Sequence, residues 1–142
     1  MKPWVLMRSS VTGALADRFG KPPAVTILSA ARGALAGWEA ELLDTGTHAF
    51  WREIQLAVDE LVVVTARTAA EAGSQAETFL RTLGDTPLGR VLFEDPAWRQ
   101  TGALVPLAAD GCRFGRACAW RNVETGDRLI VEELFHTALT CD

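Results

Sequence analysis

The sequence of 142 residues predicts one α+β domain over residues 1–142, a single antiparallel β-sheet of about six strands with helices packed on it. Two observations support this fold class. Segments with strand-like alternation come in neighbouring pairs, joined by tight turns at Asp59-Glu60 and at Glu124-Thr-Gly-Asp127. The helical segments cluster between these pairs and do not alternate with single strands, so the pattern favours an antiparallel sheet over βαβ units.

The first half of the chain predicts one helix followed by three strands. Ser9 or Ser10 can cap a helix that carries Val11, Leu15 and Phe19 on one side. The strands are expected at 24–31, 49–58 and 61–68, and the glycine-bearing segment 33–47 is expected to be irregular.

The second half predicts two helices and then three strands. Ser74 and Glu77 have the spacing of a capping box, which predicts a helix that closes at Gly84. Thr86-Pro87 then provides the N-cap and first position of a short helix that runs to Phe93. The remaining strands are expected at about 98–107, 115–124 and 127–135.

The overall composition is that of an ordinary globular protein and argues against several functional classes of protein. Hydrophobic residues make up 49% and charged residues 23% of the chain, and the net charge is −4. No basic face that would bind nucleic acid is evident, and no apolar run approaches the roughly 18 residues needed to span a bilayer. The sequence also lacks a GxSxG elbow and a Gly-rich phosphate loop with Lys.

The cysteines and histidines indicate the cellular compartment and which cofactors the protein could bind. Cys112, Cys118 and Cys141 are odd in number and lack CxxC spacing, which favours a reduced, cytoplasmic setting. The two histidines, His48 and His136, lie far apart in sequence and argue against a metal site. Without a sustained heptad pattern, we expect a monomer.

Two charged residues fall on the apolar faces of predicted strands. Arg52 alternates with Phe50 and Ile54, and Glu133 alternates with Val131 in the last strand. A buried unpaired charge costs several kcal/mol, so each side chain needs a partner, a ligand or a wet cavity. Two alternatives stay open: a plain ion pair between Arg52 and Glu133, or a polar pocket inside the sheet protein that binds a small ligand.

Other groups could complete such a pocket. Arg67 could add a second cation, or it could be a solvated arginine at the end of a strand that is apolar on both faces. Leu88 and Val11 fall near helix starts, where main-chain amides bind anions unless water or the caps satisfy them. Glu132 faces away from Glu133 and is expected to be solvated.

At these residues the chain resembles the chorismate lyase family of ubiquinone biosynthesis. The matching stretches are Trp51-Arg-Glu-Ile54, Ala66-Arg-Thr68, Leu83-Gly-Asp-Thr-Pro-Leu-Gly-Arg90 with Leu92-Phe93, and Glu132-Glu-Leu-Phe135. The likeness runs over nearly the whole chain in the same order. The turn at Asp59-Glu60 lacks the Gly and Pro that the family often has there, and Ala69-Ala70 replaces a Val and a Pro.

The resemblance implies a carbon–oxygen lyase that removes pyruvate from chorismate and leaves 4-hydroxybenzoate, with no metal or organic cofactor. The family's ligand-binding arginine falls on Arg52, and its acidic residue that meets the ring hydroxyl falls on Glu133. Its main-chain carboxylate donors fall on Leu88 and Val11. We therefore expect Arg52 to orient the ring carboxylate and Glu133 to bind the hydroxyl, with chorismate and 4-hydroxybenzoate as the partners.

Two alternatives from other functional classes share the implied fold. One is a non-catalytic sensor of small aromatic acids, like the effector domains of some bacterial transcription regulators. Such domains normally follow a winged-helix DNA-binding domain, for which this chain is expected to have no room. The other is a paralogue that carries hydroxybenzoate without turning over chorismate.

Overall fold

A computed structural model describes residues 11–46, 48–86, 88–108 and 114–136. These residues form four helices and six strands. The helices are α1 (Val11–Phe19), α2 (Gly37–Leu43), α3 (Gln75–Thr82) and α4 (Leu88–Glu94). The strands are β1 (Ala24–Ala34), β2 (His48–Val58), β3 (Leu61–Glu71), β4 (Trp98–Ala108), β5 (Phe114–Asn122) and β6 (Arg128–Phe135). The predicted α+β class is confirmed.

The six strands form one sheet in the order β1-β2-β3-β6-β5-β4, and every neighbouring pair is antiparallel. The strands β1 to β3 form one meander and β4 to β6 form another. The pairing of β3 with β6 joins the two meanders at the centre of the sheet. The helices α3 and α4 occupy the connection from β3 to β4, between the two meanders.

Helices cover both faces of the sheet, and each face has its own apolar cluster. On the first face, α1 packs through Leu15 against Ile54, and α3 and α4 pack through Leu80 and Leu92 in the cluster that contains Phe50. On the second face, α2 packs against small side chains of the central strands. This smaller cluster contains Leu35, Ala40, Leu43, Ala49, Ala69, Ala119 and Ile130. Among the described helices, none is long and apolar enough to cross a membrane.

The predicted hairpins and helix signals are largely confirmed. Asp59 and Glu60 have φ of 51° and 68°, so the β2–β3 turn takes the left-handed conformation that hairpins favour even without glycine. Ser74 caps α3, because its Oγ accepts a hydrogen bond from the Glu77 N–H at 3.2 Å. The expected caps at Ser9 and Ser10, the helix start at Pro87, and Cys112 and Cys141 lie outside the described residues.

The prediction of an irregular segment over 33–47 is wrong, because α2 lies within it. Its N-terminus is capped from inside the helix, where the Glu39 carboxylate accepts a hydrogen bond from the Ala36 N–H at 3.1 Å. Asp44 ends the helix with φ of 58°, a conformation more usual for glycine. Burial of Leu43 against the sheet stabilises a helix of only seven residues that local sequence signals do not predict.

Glu77 connects α3 to the edge of the sheet. Its buried carboxylate accepts hydrogen bonds from the Gly73 N–H at 2.8 Å, from Arg81 Nε at 2.7 Å and from Arg32 Nε at 3.1 Å. The bond from Gly73 and then those from the two arginines lower the pKa of Glu77 to about 2, although burial acts in the opposite direction. Because Arg32 belongs to β1, this carboxylate fixes α3 over the β1–β2 side of the sheet.

We expect Glu77→Gln to lower the free energy of unfolding by about 2 kcal/mol at pH 7, since it removes a charged acceptor from three donors. The pKa of Glu77 lies below its ordinary value of 4.5, so its stabilising effect is complete above about pH 4.5 and is lost as the pH falls towards 2. Urea unfolding at pH 7 and pH 2.5 measures both effects, and Glu71→Gln, at an exposed position just before α3, serves as the matched control. An equal deficit at both pH values would contradict the assignment.

Candidate functional site

Glu133 and Arg116 meet on the first face of the sheet. They are register partners on β6 and β5, and Arg116 Nε donates a hydrogen bond to Glu133 Oε1 at 2.8 Å. The Arg116 side chain is 4% exposed and that of Glu133 is 15% exposed. Glu133 therefore faces inward as predicted, and its immediate partner is Arg116.

This ion pair borders a small cavity between the first face of the sheet and the helices α1 and α4. The cavity is lined by Val11, Gly89, Leu92, Phe93, Gln100, Leu104, Arg116, Cys118, Trp120, Val131 and Glu133. The lining is thus mainly apolar and aromatic, with a carboxylate, a guanidinium and an amide as its polar groups, which is the usual composition of a small-molecule site. Its volume of about 20 Å³ has room for about one water molecule, so an aromatic acid requires the covering helices or β4 to move.

Arg52 also faces inward, as predicted, and is 4% exposed. Its Nη1 donates to the carbonyl oxygens of Gly84 at 3.1 Å and Leu80 at 3.5 Å, so it satisfies main-chain acceptors at the C-terminal end of α3. Its buried Nη2 has no hydrogen-bond partner. Burial lowers the pKa of this guanidinium. Arg52 thus combines a structural contact with one unused donor.

Arg52 and Glu133 share a face but do not form an ion pair with each other. Arg52 is opposite Thr68 on β3, Thr68 is opposite Val131 on β6, and Glu133 lies two residues beyond Val131. Strand spacing then places the Cα atoms of Arg52 and Glu133 about 12 Å apart. Arg52 does not line the cavity, whereas Val131, which lies opposite Thr68 on β6, does line it. The alternative of a plain Arg52–Glu133 ion pair is therefore wrong.

The two helix starts singled out in the sequence lie at this cavity. Val11 is the first residue of α1, is buried, and lines the cavity. Leu88 is the first residue of α4 and is buried, and the next residue, Gly89, lines the cavity. Main-chain amides in the first turn of a helix have no acceptor within the helix, so both starts place donors near the ligand space.

The structure does not bring Arg67 to this cavity. Arg67 is the register partner of Glu53 and lies on the second face, one residue away from inward-facing Thr68. It donates to Glu39 at 2.9 Å and Glu53 at 3.1 Å, and its guanidinium stacks 4.7 Å from the Trp51 ring centroid. The carboxylates raise its pKa overall, although burial lowers it. An open cleft of about 370 Å³ lies beside it, but the surrounding carboxylates already neutralise this cation.

Glu132 faces the second face, as predicted, but it is not solvated. Its side chain is only 13% exposed, and its Oε2 lies 3.9 Å from Arg67 Nε. Burial first, and then the hydrogen bond and charge of Glu39, raise the pKa of Glu132 to about 9. Burial also raises the pKa of Glu39, but hydrogen bonds from Glu132, the Ala36 N–H and Arg67 lower it overall. The Glu39–Glu132 pair thus holds one proton near neutral pH.

Sequence reasoning missed Arg116 and the glycine beside it. Alternation along β5 places Arg116 on the same face as Cys118 and Trp120, a signal that could have identified it. Gly115 allows β5 to lie very close to β6, since a Cβ built there would come 2.5 Å from the Glu133 carbonyl oxygen and 3.3 Å from Leu134 Cα.

The fold is that of a class of α+β domains in which helices pack on a single antiparallel sheet. A similar fold occurs in the ligand-binding domain of a putative GntR-family regulator from Bordetella bronchiseptica, with a TM-score of 0.60 and 15% identity over 81% of this chain and 83% of that one. The possible transcriptional regulator YydK from Bacillus subtilis gives a TM-score of 0.55 and 4% identity over 83% of this chain and 59% of that one. At these identities the likeness concerns the fold alone.

Sequence relatives identify the family. A probable chorismate pyruvate-lyase of Azoarcus sp. is 35% identical over 84% of this chain, which spans 62% of that protein's length. The probable chorismate pyruvate-lyase of Chromohalobacter salexigens is 30% identical over 99% of this chain and 82% of its own length. The chorismate pyruvate-lyase of Citrobacter koseri is 31% identical over 93% and 79%. No protein-family model matches the sequence. The chain belongs to the chorismate pyruvate-lyase family.

We expect Glu132→Gln to stabilise the protein in a pH-dependent way. Because its pKa in the folded state is above the ordinary 4.5, the folded protein keeps a proton that the unfolded chain loses, and Glu132 lowers stability as the pH rises from about 4.5 to about 9. The neutral glutamine removes this effect. Its free energy of unfolding should equal that of the unaltered protein at pH 4 and exceed it by about 1 kcal/mol or more at pH 8. Glu41→Gln, exposed on α2, is the control; a pH-independent difference would exclude the shared proton.

We expect Gly115→Ala to lower the free energy of unfolding by about 2 kcal/mol, because the new methyl group meets main-chain atoms of β6 that cannot rotate away. The strain falls next to Arg116 and Glu133, so ligand binding should weaken as well. Gly37→Ala is the matched control, since nothing lies within 4 Å of a Cβ at that position. Chemical unfolding measures the first effect, and wild-type stability of Gly115→Ala would contradict the tight approach of the two strands.

Proposed function

We propose that this protein is a chorismate pyruvate-lyase that supplies 4-hydroxybenzoate for the ubiquinone head group. The observation that carries the proposal is the match to relatives of that name over most of the chain. The chemistry of the first-face site supports it. That site has a carboxylate at a small, mainly apolar cavity and a buried guanidinium with one unused donor on the same face.

Arg52 suits the role of a binding group for the ring carboxylate. An unpaired donor in a buried position costs about 1–3 kcal/mol, and a ligand carboxylate would satisfy it. A guanidinium can also keep its contacts to Gly84 and Leu80 through Nη1 while Nη2 binds the ligand. The first-turn amides of Leu88 and Val11 would add partial positive charge for the carboxylates of a dianionic substrate.

Glu133 suits the role of acceptor for the ring hydroxyl. In the proposed reaction the ether C–O bond of chorismate breaks, the carbon that bears the hydroxyl loses its proton, and the ring becomes aromatic. The proton ends on the methylene carbon of the departing enolpyruvyl group, which becomes pyruvate. Aromatisation supplies the driving force, so the site mainly has to hold a reactive conformer in a preorganised, dry environment.

The small volume of the cavity imposes a further requirement on this reaction. Its volume of about 20 Å³ cannot contain a ring acid, so ligand binding must displace the covering segments from the sheet. Closure over the bound substrate would then exclude water and strengthen the contacts to Arg52 and Glu133. We infer that the described arrangement is the closed form of the site.

A second candidate function is non-catalytic binding of an aromatic acid. The fold shared with ligand-binding domains of transcription regulators favours it. In that case the same cavity would bind 4-hydroxybenzoate or a related acid without releasing pyruvate from chorismate. Incubation with chorismate, followed by measurement of both products, separates the two functions. Equimolar pyruvate and 4-hydroxybenzoate support the lyase, whereas binding without turnover supports the sensor or carrier.

We expect Arg52→Met to lower kcat/KM for chorismate at least about 100-fold, because the buried anion-binding donor is lost. Arg52→Lys keeps the charge but not the planar fork, and an intermediate loss is expected. Pyruvate release measured with a coupled enzyme gives the rates. Arg99→Met, at an exposed position on β4, is the matched control. Circular dichroism tests whether α3 survives the loss of its contacts to Arg52, and near-normal turnover by a folded Arg52→Met protein would remove Arg52 from the site.

A further inference from the structure

We propose that Arg116 is the positioning residue for Glu133 and thereby makes the cavity selective for aromatic acids with a para-hydroxyl group. This inference rests on the proposed function, since it assigns Glu133 to the ligand hydroxyl. It extends that function by adding a residue from β5 that acts through Glu133 and determines which acids bind.

The geometry of the pair supports positioning. Arg116 and Glu133 face each other directly across β5 and β6, and the Nε–Oε1 distance is 2.8 Å. A glutamate side chain has several rotatable bonds, and an arginine held in a strand register fixes the carboxylate in place. The bond engages Oε1, and the second carboxylate oxygen can accept a hydrogen bond from a ligand hydroxyl.

The surroundings of the pair explain why a positioning cation is needed. Arg116 is buried, and both residues line a cavity whose other walls are mainly apolar, including Leu92, Phe93 and Val131. A carboxylate in such surroundings is costly without a paired charge. Arg116 compensates that charge, so the site can retain a charged acceptor at the ligand.

Positioning of Glu133 by Arg116 is expected to affect the selectivity among aromatic acids more than the overall affinity for them. A ligand whose hydroxyl binds this fixed, charged acceptor is strongly favoured over a ligand that lacks the hydroxyl, because the second ligand leaves one carboxylate oxygen of Glu133 without a hydrogen bond. Benzoate lacks the hydroxyl of 4-hydroxybenzoate but keeps the carboxylate expected to bind Arg52. The ratio of the two affinities therefore reports on Glu133 and Arg116, whereas a general structural defect weakens both acids together.

The experiment is a calorimetric titration of 4-hydroxybenzoate and benzoate into the unaltered protein and a set of variants. The set contains Glu133→Gln, Arg116→Gln, Arg116→Lys and the double variant with both glutamines. Arg121→Gln, at an exposed position on the same strand as Arg116, is the matched control. The lysine variant keeps the positive charge, and the double variant removes both charges, so either provides the test if Arg116→Gln alone does not fold.

We expect the unaltered protein and Arg121→Gln to bind 4-hydroxybenzoate at least about 10-fold more tightly than benzoate. Glu133→Gln and Arg116→Gln should each reduce this ratio to about threefold or less, with benzoate affinity nearly unchanged. Arg116→Lys should give an intermediate ratio. The double variant should match Glu133→Gln, because a residue that acts through Glu133 has nothing left to position.

Several results would overturn the inference. They are an unchanged ratio in the folded Arg116 variants, an equal loss of affinity for both acids, and a double variant whose ratio falls by the product of the two single effects. Equal affinity of the unaltered protein for both acids would exclude Glu133 as the acceptor for the hydroxyl. Failure of the unaltered protein to bind 4-hydroxybenzoate would overturn the proposed function and this inference together, whereas tight binding with an unchanged ratio in Arg116→Gln would overturn this inference alone.

Discussion

The antiparallel pairing of β3 with β6 is the constraint on which the rest of the structure depends. It joins two meanders that are distant in sequence and determines which side chains share a face. A slip of one residue would exchange the faces of every side chain on one meander relative to the other. Arg52 and Glu133 would then lie on opposite sides of the sheet. The candidate site therefore depends on this strand register. It places the buried residues Ala66 and Ala70 of β3 and Leu129 of β6 on the same face.

The sheet buries charge on both faces, and each face balances it differently. On the first face, Arg116 pairs with Glu133 and Arg52 binds main-chain carbonyls at the end of α3. On the second face, Arg67 is surrounded by carboxylates, and burial together with Glu39 raises the pKa of Glu132, which favours its neutral form. Each face also retains a buried atom without a hydrogen-bond partner, Arg52 Nη2 on the first face and Glu132 Oε2 on the second. The first-face atom is a donor that an anion could satisfy, whereas the second-face atom is an acceptor.

Alternation in the sequence predicted much of this arrangement, and its failures have physical causes. Arg52 and Glu133 belong to strands with one clearly apolar face, so their inward direction could be predicted. Arg67 belongs to a strand that is apolar on both faces, and only its pairing with β2 determines its direction. The helix α2 depends on burial against strands far away in sequence. The Arg116–Glu133 pair could have been identified by aligning the last hairpin about its turn, since both residues are inward-facing.

The small volume of the first-face cavity has a kinetic consequence. If the closed form has no room for a ring acid, every ligand passes through an open form on its way in and again on its way out. The association rate is then reduced by the fraction of molecules that are open, and the residence time of a bound acid is set by how often the covering segments lift. For any ligand that enters this cavity, release then waits for the next opening event, whatever the rates of the other steps.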